Sequence, residues 1–385
     1  MKKELKGISL IILVIVIIIM IILAGAVILT LSSNDIVNKA SNAVESDRLT
    51  KLSEAAGIKK AELMLNGDIR EGERMGEAIE RKLIEDGTIE ADKWYISDDA
   101  LVAELPEGYA SWNLEKVNPV VTADNYLIPA PKGFILSNLP GENKLETGSV
   151  LYETTGTITE NSKEMVNQYV WVPVKGDFVG NKYDNPHKEN FVALKSSVEI
   201  YDGFYVSRYE ISKDVDGNLQ SMKNKVPWNN IVQGNDIINS INSTLASTFN
   251  GENEKTGHVI YGTEWDYICD WLAETGMDIT KCSTRGNYSS TLKNTGESEA
   301  YNMNNIYDLA GNLFEITYQF IGAGATLVNG YVEYSGVRVI LGGCHMTWLN
   351  AGDYNLTTRK QQGSHASPAS YYPATGVRIA FNLPL

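Results

Sequence analysis

The chain has 385 residues, enough for two domains with their connections. Its 48 acidic side chains against 33 basic ones give a net charge of −15, which argues against a nucleic-acid partner, because phosphates reward a basic surface. Three cysteines (Cys269, Cys282 and Cys344) are too few for a disulfide framework, and four histidines (His187, His258, His345 and His365) show no zinc spacing.

Lys2, Lys3 and Lys6 precede an uncharged apolar run from Ile8 to Leu31. As a helix this run spans ~36 Å, enough to cross a hydrocarbon core of ~30 Å. The lysines predict a cytoplasmic N-terminus, with everything after Leu31 outside. A secretory signal has a shorter apolar region, ~7–15 residues, and a small-residue cleavage site, and neither is present. The segment Lys6-Gly7-Ile8-Ser9-Leu10 resembles the prepilin-peptidase site of type IV pilin-like proteins. That resemblance implies cleavage between Gly7 and Ile8, pilus assembly and pilin-like partners. Such pilins usually carry Glu at the fifth mature position, where this chain has Ile12. A plain uncleaved membrane anchor is the alternative.

Beyond the membrane, Ser32 to Asp35 mark an exit or a helix cap. Ile36, Ala40, Ala43, Val44, Leu52, Ala55, Ala56, Ile58, Ala61 and Leu65 recur mostly at helical spacing and form a narrow, alanine-rich stripe. The pattern predicts a stalk helix ending at Asn66-Gly67-Asp68 and a second helix from Met75 to Ile84. The stripe suits a partner stalk, the chain's own globular domain or, equally, neighbours elsewhere on its own chain. From about Trp94 to Gln168, prolines break short β-prone runs such as 125–128, 133–136 and 148–152, which predicts a β-rich connector.

Tyr169-Val170-Trp171-Val172 reads as a strand ending at Pro173. Asp236 to Phe249 carries a helical stripe. Thr263 is a candidate cap for a helix in which Trp265, Ile268, Cys269 and Leu272 share a buried face. Short β runs and polar loops fill the tail. The expected fold class is α+β: a long N-terminal membrane and stalk helix, then a β-rich connector and a compact domain. The expected segments are 1–31 (leader and transmembrane helix), 32–93 (stalk), 94–165 (connector) and 166–385 (C-terminal domain).

The stretch Asn305 to Thr317, NIYDLAGNLFEIT, places Asp308 and Glu315 on either side of a Gly-Asn bend, a source of hard oxygen ligands for calcium. Read plainly, Asp308 is a turn former and Glu315 a surface residue. The order of residues resembles the Y-D/N-x-x-G-N-x-W-E-W signature of the formylglycine-generating-enzyme family, also called the sulfatase-modifying-factor domain. Further elements similar to that family follow in its order. They are Phe204 to Glu210, Val226 to Asn230, Tyr261 to Tyr267, Leu341-Gly342-Gly343 and Gly376 to Ala380, all within 166–385. The resemblance implies a variant of the C-type-lectin fold. It also implies one calcium ion held by the side chains of Asp308 and Glu315 and the backbone carbonyls of Gly311 and Leu313.

The family's oxidases use a copper-binding thiol pair, since soft thiolates hold copper(I). The matching positions here are Thr347 and Gly352, and Cys344 alone cannot replace a pair. No copper and no enzymatic activity are therefore expected; the alternative is an oxidase of this family with altered chemistry. Between Gly343 and Gly376, aromatic and small polar side chains alternate, a composition suited to recognition. The stretch also resembles the variable C-terminal region of proteins diversified by retroelements, with its G-G start, internal Asn350-Ala351-Gly352 and closing Gly376-Val377-Arg378. Trp348, Asn350, Asp353, Tyr354, His365, Tyr371 and Tyr372 are the expected ligand contacts. The expected function is a membrane-anchored, cell-surface, adhesin-like binding protein whose ligand is an extracellular glycan or protein.

Overall fold

The computed structural model describes residues 35–176, 188–229, 231, 256–280, 282–289, 291–321, 325–328, 331–334, 337–342, 356, 360–361 and 374–383. The chain forms two compact units, residues 1–102 and 103–385. Among the described residues no helix is long and apolar enough to cross a membrane. The apolar run Ile8–Leu31 and the Gly7–Ile8 junction lie outside them, as does the expected helix at 236–249.

The first unit holds α1 (Asp35–Asn66), α2 (Met75–Glu85) and strand β1 (Trp94–Ile96), which pairs with the short strand β2 (Val102–Glu104) where the unit ends. Both helices match the periodicity of the sequence. Gly67, in the left-handed region at φ 67°, terminates α1 and donates its N–H to the Leu63 carbonyl at 2.9 Å. Leu52, Ala56 and Leu63 face inward and form one core with Ala78, Ile79 and Leu83 of α2 and with Trp94, Ile96 and Val102. Part of the α1 stripe is thus covered by its own chain. Val44, Ile58 and Leu65 belong to the same sequence pattern but are exposed.

The second unit is mixed α and β. Strands β3 (Val117–Val121) and β4 (Leu127–Pro131) form a hairpin. A six-stranded antiparallel sheet follows. It contains β5 (Ile135–Leu136), β6 (Ser149–Tyr152), β7 (Gln168–Pro173), β8 (Gly203–Ser207), β9 (Thr256–Val259) and β14 (Ile379–Asn382), in the order β9-β14-β8-β7-β6-β5. The stretch expected to be a connector therefore supplies two strands of this sheet, so 165/166 is not a boundary of it. The C-terminal strand β14 lies inside the sheet and pairs with β8 and β9.

Helices α3 (Lys188–Tyr201) and α4 (Gly262–Glu274) pack on the sheet. Tyr205 stacks on Phe381 with ring centroids 4.8 Å apart, and Tyr169 meets Phe381 edge-on at 5.0 Å. Trp265, Ile268, Cys269 and Leu272 are buried on one face of α4, as their spacing predicts. Each such apolar side chain contributes about 1.5–3 kcal/mol through burial. Thr263 does not cap α4, because the helix already begins at Gly262. Glu264 takes that role: its carboxylate accepts the Tyr261 N–H at 2.8 Å and also pairs with buried His258 at 2.8 Å.

A second sheet of four strands holds β10 (Phe314–Ile321), β11 (Val337–Leu341), β12 (Lys360–Gln361) and β13 (Thr375–Val377), in the order β12-β11-β10-β13. β10 pairs antiparallel with β11 and parallel with β13. β11 and β13 thus lie on opposite sides of β10, and the chain between them supplies the edge strand β12.

Candidate functional site

The stretch that precedes β10 is tightly coiled. Asn304, Asn305, Asp308, Gly311 and Asn312 all have positive φ, between 48° and 78°. Asparagine, aspartate and glycine tolerate this left-handed region better than other residues. That tolerance lets the chain reverse repeatedly between Met303 and Phe314 while staying buried. Gly311 donates its N–H to the Gly342 carbonyl at 2.6 Å, tying the bend to the end of β11.

The coil gathers carboxylates. Glu315 is fully buried, so it is not a surface residue. Its Oε1 accepts from Arg378 Nη2 at 3.1 Å and Nε at 3.3 Å, while its Oε2 has no partner. Buried Arg378 also donates to the carbonyls of Ser207 at 2.9 Å and Tyr307 at 2.8 Å. Asp308 Oδ2 accepts the Gly296 N–H at 2.7 Å, and its Oδ1 has no partner. Glu210, three residues beyond β8, accepts the Leu313 N–H at 3.0 Å through Oε1 and the Asn312 side-chain amide through Oε2. Asn312 Oδ1 in turn accepts from Asn287 Nδ2 at 2.8 Å and from the Lys293 N–H at 3.0 Å.

Burial sets the electrostatics. It pushes Glu315 up to about 8 despite Arg378, and Asp308 up to about 6. Burial, followed by the charges of Asp308 and Glu315, holds Glu210 well above the usual carboxylate range. Three buried acids thus lie near one buried guanidinium, and two carboxylate oxygens lack partners. Unmatched oxygens of this kind take up either a proton or a hard cation. Asp308 Oδ1 and Glu315 Oε2 are therefore chemically suited to calcium. Among the described residues, however, no three His, Cys, Asp or Glu side chains converge as a metal-binding group.

Trp348, Asn350, Asp353, Tyr354, His365, Tyr371 and Tyr372 lie outside the described residues, as does Cys344. The other two thiols are buried. Cys282 is pushed up to about 11 by burial, and Cys269 sits in the core face of α4. The Cys282 environment disfavours the thiolate that a metal ligand or nucleophile needs.

Sequence reasoning identified Glu210 and Arg378 only as parts of motifs. It missed that they meet Glu315 and Asp308 in one cluster, because the four come from the turn after β8, the coil, β10 and the β13–β14 junction.

No family model and no curated protein matches the chain. Among solved structures, Treponema denticola variable protein 1 is similar at a TM-score of 0.32 and 15% identity, covering 61% of this chain and 99% of that one. The crystal structure of CarF is similar at a TM-score of 0.34 and 11% identity, covering 56% and 98%. Similarity at this level fixes neither the detailed fold nor the function.

Proposed function

We propose that the chain is a membrane-anchored, outward-facing binding protein whose C-terminal domain has the C-type-lectin-like fold of the formylglycine-generating-enzyme family without its oxidase chemistry. One observation supports this reading above the rest. The span 343–374 begins and ends on opposite sides of β10, at Gly342 and Ala374. Gly342 accepts the Gly311 N–H, and Ala374 accepts the Phe314 N–H at 2.7 Å. A long segment with both ends fixed on a rigid sheet is the arrangement that recognition loops use. The seven expected contact residues all fall within that span.

The reading extends to the base of the chain. Val44, Ile58 and Leu65 lie exposed at multiples of seven along α1, the spacing of a seam for a neighbouring helix. They suit pilin-like partners once Ile8–Leu31 is in the membrane. Calcium at Asp308 and Glu315, with the Gly311 and Leu313 carbonyls, would neutralise the buried acids of the coil.

A glycan and protein array probed with the detergent-solubilised full chain tests the function. Specific capture of an extracellular glycan or protein supports it. Stoichiometric copper binding with oxygen consumption on thiol peptides favours the oxidase instead.

A further inference from the structure

A pocket of about 260 Å³ opens in the second unit. Its lining comes from separate parts of the chain: the turn at Pro140, the residues just beyond β8, the neighbourhood of Lys223 and the coil up to Tyr307.

One amide holds these parts together. Asn305 sits in the left-handed region at φ 64°. Its Nδ2 donates to the carbonyls of Gly141 at 2.7 Å and Gly148 at 2.8 Å, and its Oδ1 accepts from Arg208 Nη2 at 3.0 Å. Arg208 Nη1 donates to Gln168 Oε1 at 2.8 Å, which fixes the guanidinium from a second side. A wall set in this way costs a ligand little ordering of the protein.

Every charge of the lining is matched inside the chain. Arg208 pairs with Glu142 at 2.9 Å, Lys163 with Glu160 at 2.7 Å and Lys223 with Glu299 at 3.1 Å. Glu142 also accepts from Ser137 at 2.8 Å and from Tyr152 at 2.6 Å, and Glu299 accepts the Tyr307 hydroxyl. A ligand carrying net charge of either sign would lose water here and find no counter-charge left to meet it. The lining therefore selects against ions.

Two uncharged hydrogen-bonding functions remain unmatched. Arg208 is 3% exposed, and its Nε–H has no partner among the described residues. Tyr209 is 2% exposed, and its hydroxyl has no hydrogen-bond partner among the described residues. Burial raises the pKa of that hydroxyl, so it stays protonated and both donates and accepts. The guanidinium lies 5.6 Å from the Tyr209 ring centroid, and both side chains line the same pocket, so one small molecule reaches both. Buried polar groups are costly to leave unmade. The pair calls for an acceptor next to a group that both donates and accepts, which neighbouring hydroxyls supply. The volume suits a single sugar ring rather than a drug-sized molecule, whose pockets run to ~300–1,000 Å³.

We propose that this pocket binds an uncharged polyhydroxy molecule the size of one sugar, with one hydroxyl accepting from Arg208 Nε–H and its neighbour hydrogen-bonded to the Tyr209 hydroxyl. The assignment stands on these residues and does not depend on the span 343–374. Two sources share the chemistry: a free neutral sugar and the neutral terminal sugar of a glycan.

Calorimetric titration of the detergent-solubilised full chain tests the assignment. The probes are glucose and galactose, with the methyl glycoside, the uronic acid and the 2-amino sugar of each. The last two keep the ring and add a negative or a positive charge. Saturable binding of glucose or galactose is expected, with its charged relatives weaker by about tenfold or more, because their charge goes uncompensated. A methyl glycoside that binds as well as its parent sugar assigns the pocket to a glycan terminus, and its exclusion assigns the pocket to a free sugar. Tyr209→Phe removes a single hydroxyl and should weaken binding about threefold to tenfold at an unchanged melting temperature. If that variant fails to fold, the contrast between neutral and charged sugars on the parent chain decides alone. The proposal is overturned if no neutral sugar saturates at millimolar concentration, if a charged relative binds as tightly, or if the folded variant binds like the parent. Loss of array capture with sugar titration intact counts only against the span 343–374.

Discussion

Glu315 meets Arg378 through one carboxylate oxygen only, at 3.1 Å from Nη2 and 3.3 Å from Nε, and its other oxygen lies buried without a partner against Gly342. The ion pair is thus half-satisfied. With Asp308 and Glu210 nearby, the cluster carries more potential negative charge than one guanidinium offsets.

The first prediction follows from that imbalance. In the unfolded chain these acids titrate near ~4, whereas burial raises Asp308 to about 6 and Glu315 to about 8 in the fold. The folded state therefore holds extra protons between those values. Their stabilising contribution is full below about pH 4 and is lost as pH rises through about 6 and then about 8. Melting temperature without calcium should fall from pH 5 to pH 8.5, and Glu315→Gln should flatten the upper part of that fall. An unchanged slope in the variant would refute this account. Calcium competes with the same protons, so millimolar calcium should raise the melting temperature more at pH 8 than at pH 5. At a hundredfold excess over the dissociation constant the gain is ~2.7 kcal/mol, and it should vanish in an Asp308→Ala, Glu315→Ala double variant.

Gly342 gives the second prediction. Its φ is 82°, and a Cβ there would sit 2.1 Å from Glu315 Oε2 and 2.8 Å from the Leu309 carbonyl oxygen. Gly342→Ala should cost about 1–3 kcal/mol in backbone strain alone, with the carboxylate clash added. Urea unfolding measures this, and Glu315→Ala in the same chain should recover the clash but not the strain. Equal cost in both backgrounds would mean that the carboxylate moves aside freely.

A third prediction concerns boundaries. β5 and β6 belong to the same sheet as β7, and Phe134 and Tyr152 lie in its core. A fragment 103–385 should unfold cooperatively in urea, whereas 166–385 should lack a cooperative transition. Cooperative folding of the shorter fragment would show that the first two strands are dispensable.

Alanine at Trp348, Tyr354, Tyr371 or Tyr372 should weaken ligand capture at least tenfold while moving the melting temperature by less than ~2 °C, because aromatic anchors dominate recognition surfaces. A collapse in stability would instead make them core residues.

Topology supplies the last prediction. Protease added to intact cells should digest the chain beyond Leu31, and mass spectrometry should find a mature N-terminus at Ile8. An intact Met1 leaves the anchor but removes the pilin-like processing, and full protection of the C-terminal domain removes the outward orientation.

Much of the fold was legible where local pattern and final environment agree. The α1 and α2 periodicities, the strand ending at Pro173 and the buried face of α4 are of this kind, since each depends on spacing within one element. Thr263 misled because capping depends on where the first helical turn starts, and Glu264 fills that role from inside the helix. The acid cluster was half legible. Asp308 and Glu315 stand in one short motif, but their neighbours Glu210 and Arg378 arrive only through sheet topology.

The placement of β13 parallel to β10, with β11 antiparallel on the other side, has a consequence for how this protein tolerates change. The two exits are about 10 Å apart, twice the spacing of adjacent strands. Closing a chain across so short a gap depends only weakly on how long that chain is: doubling its length costs only ~0.6 kcal/mol. Length changes between Gly342 and Leu356, or between β12 and Ala374, should therefore cost the fold little, whereas buried Leu356, hydrogen-bonded to Trp265 and Ile279, and the edge strand β12 remain fixed parts of it.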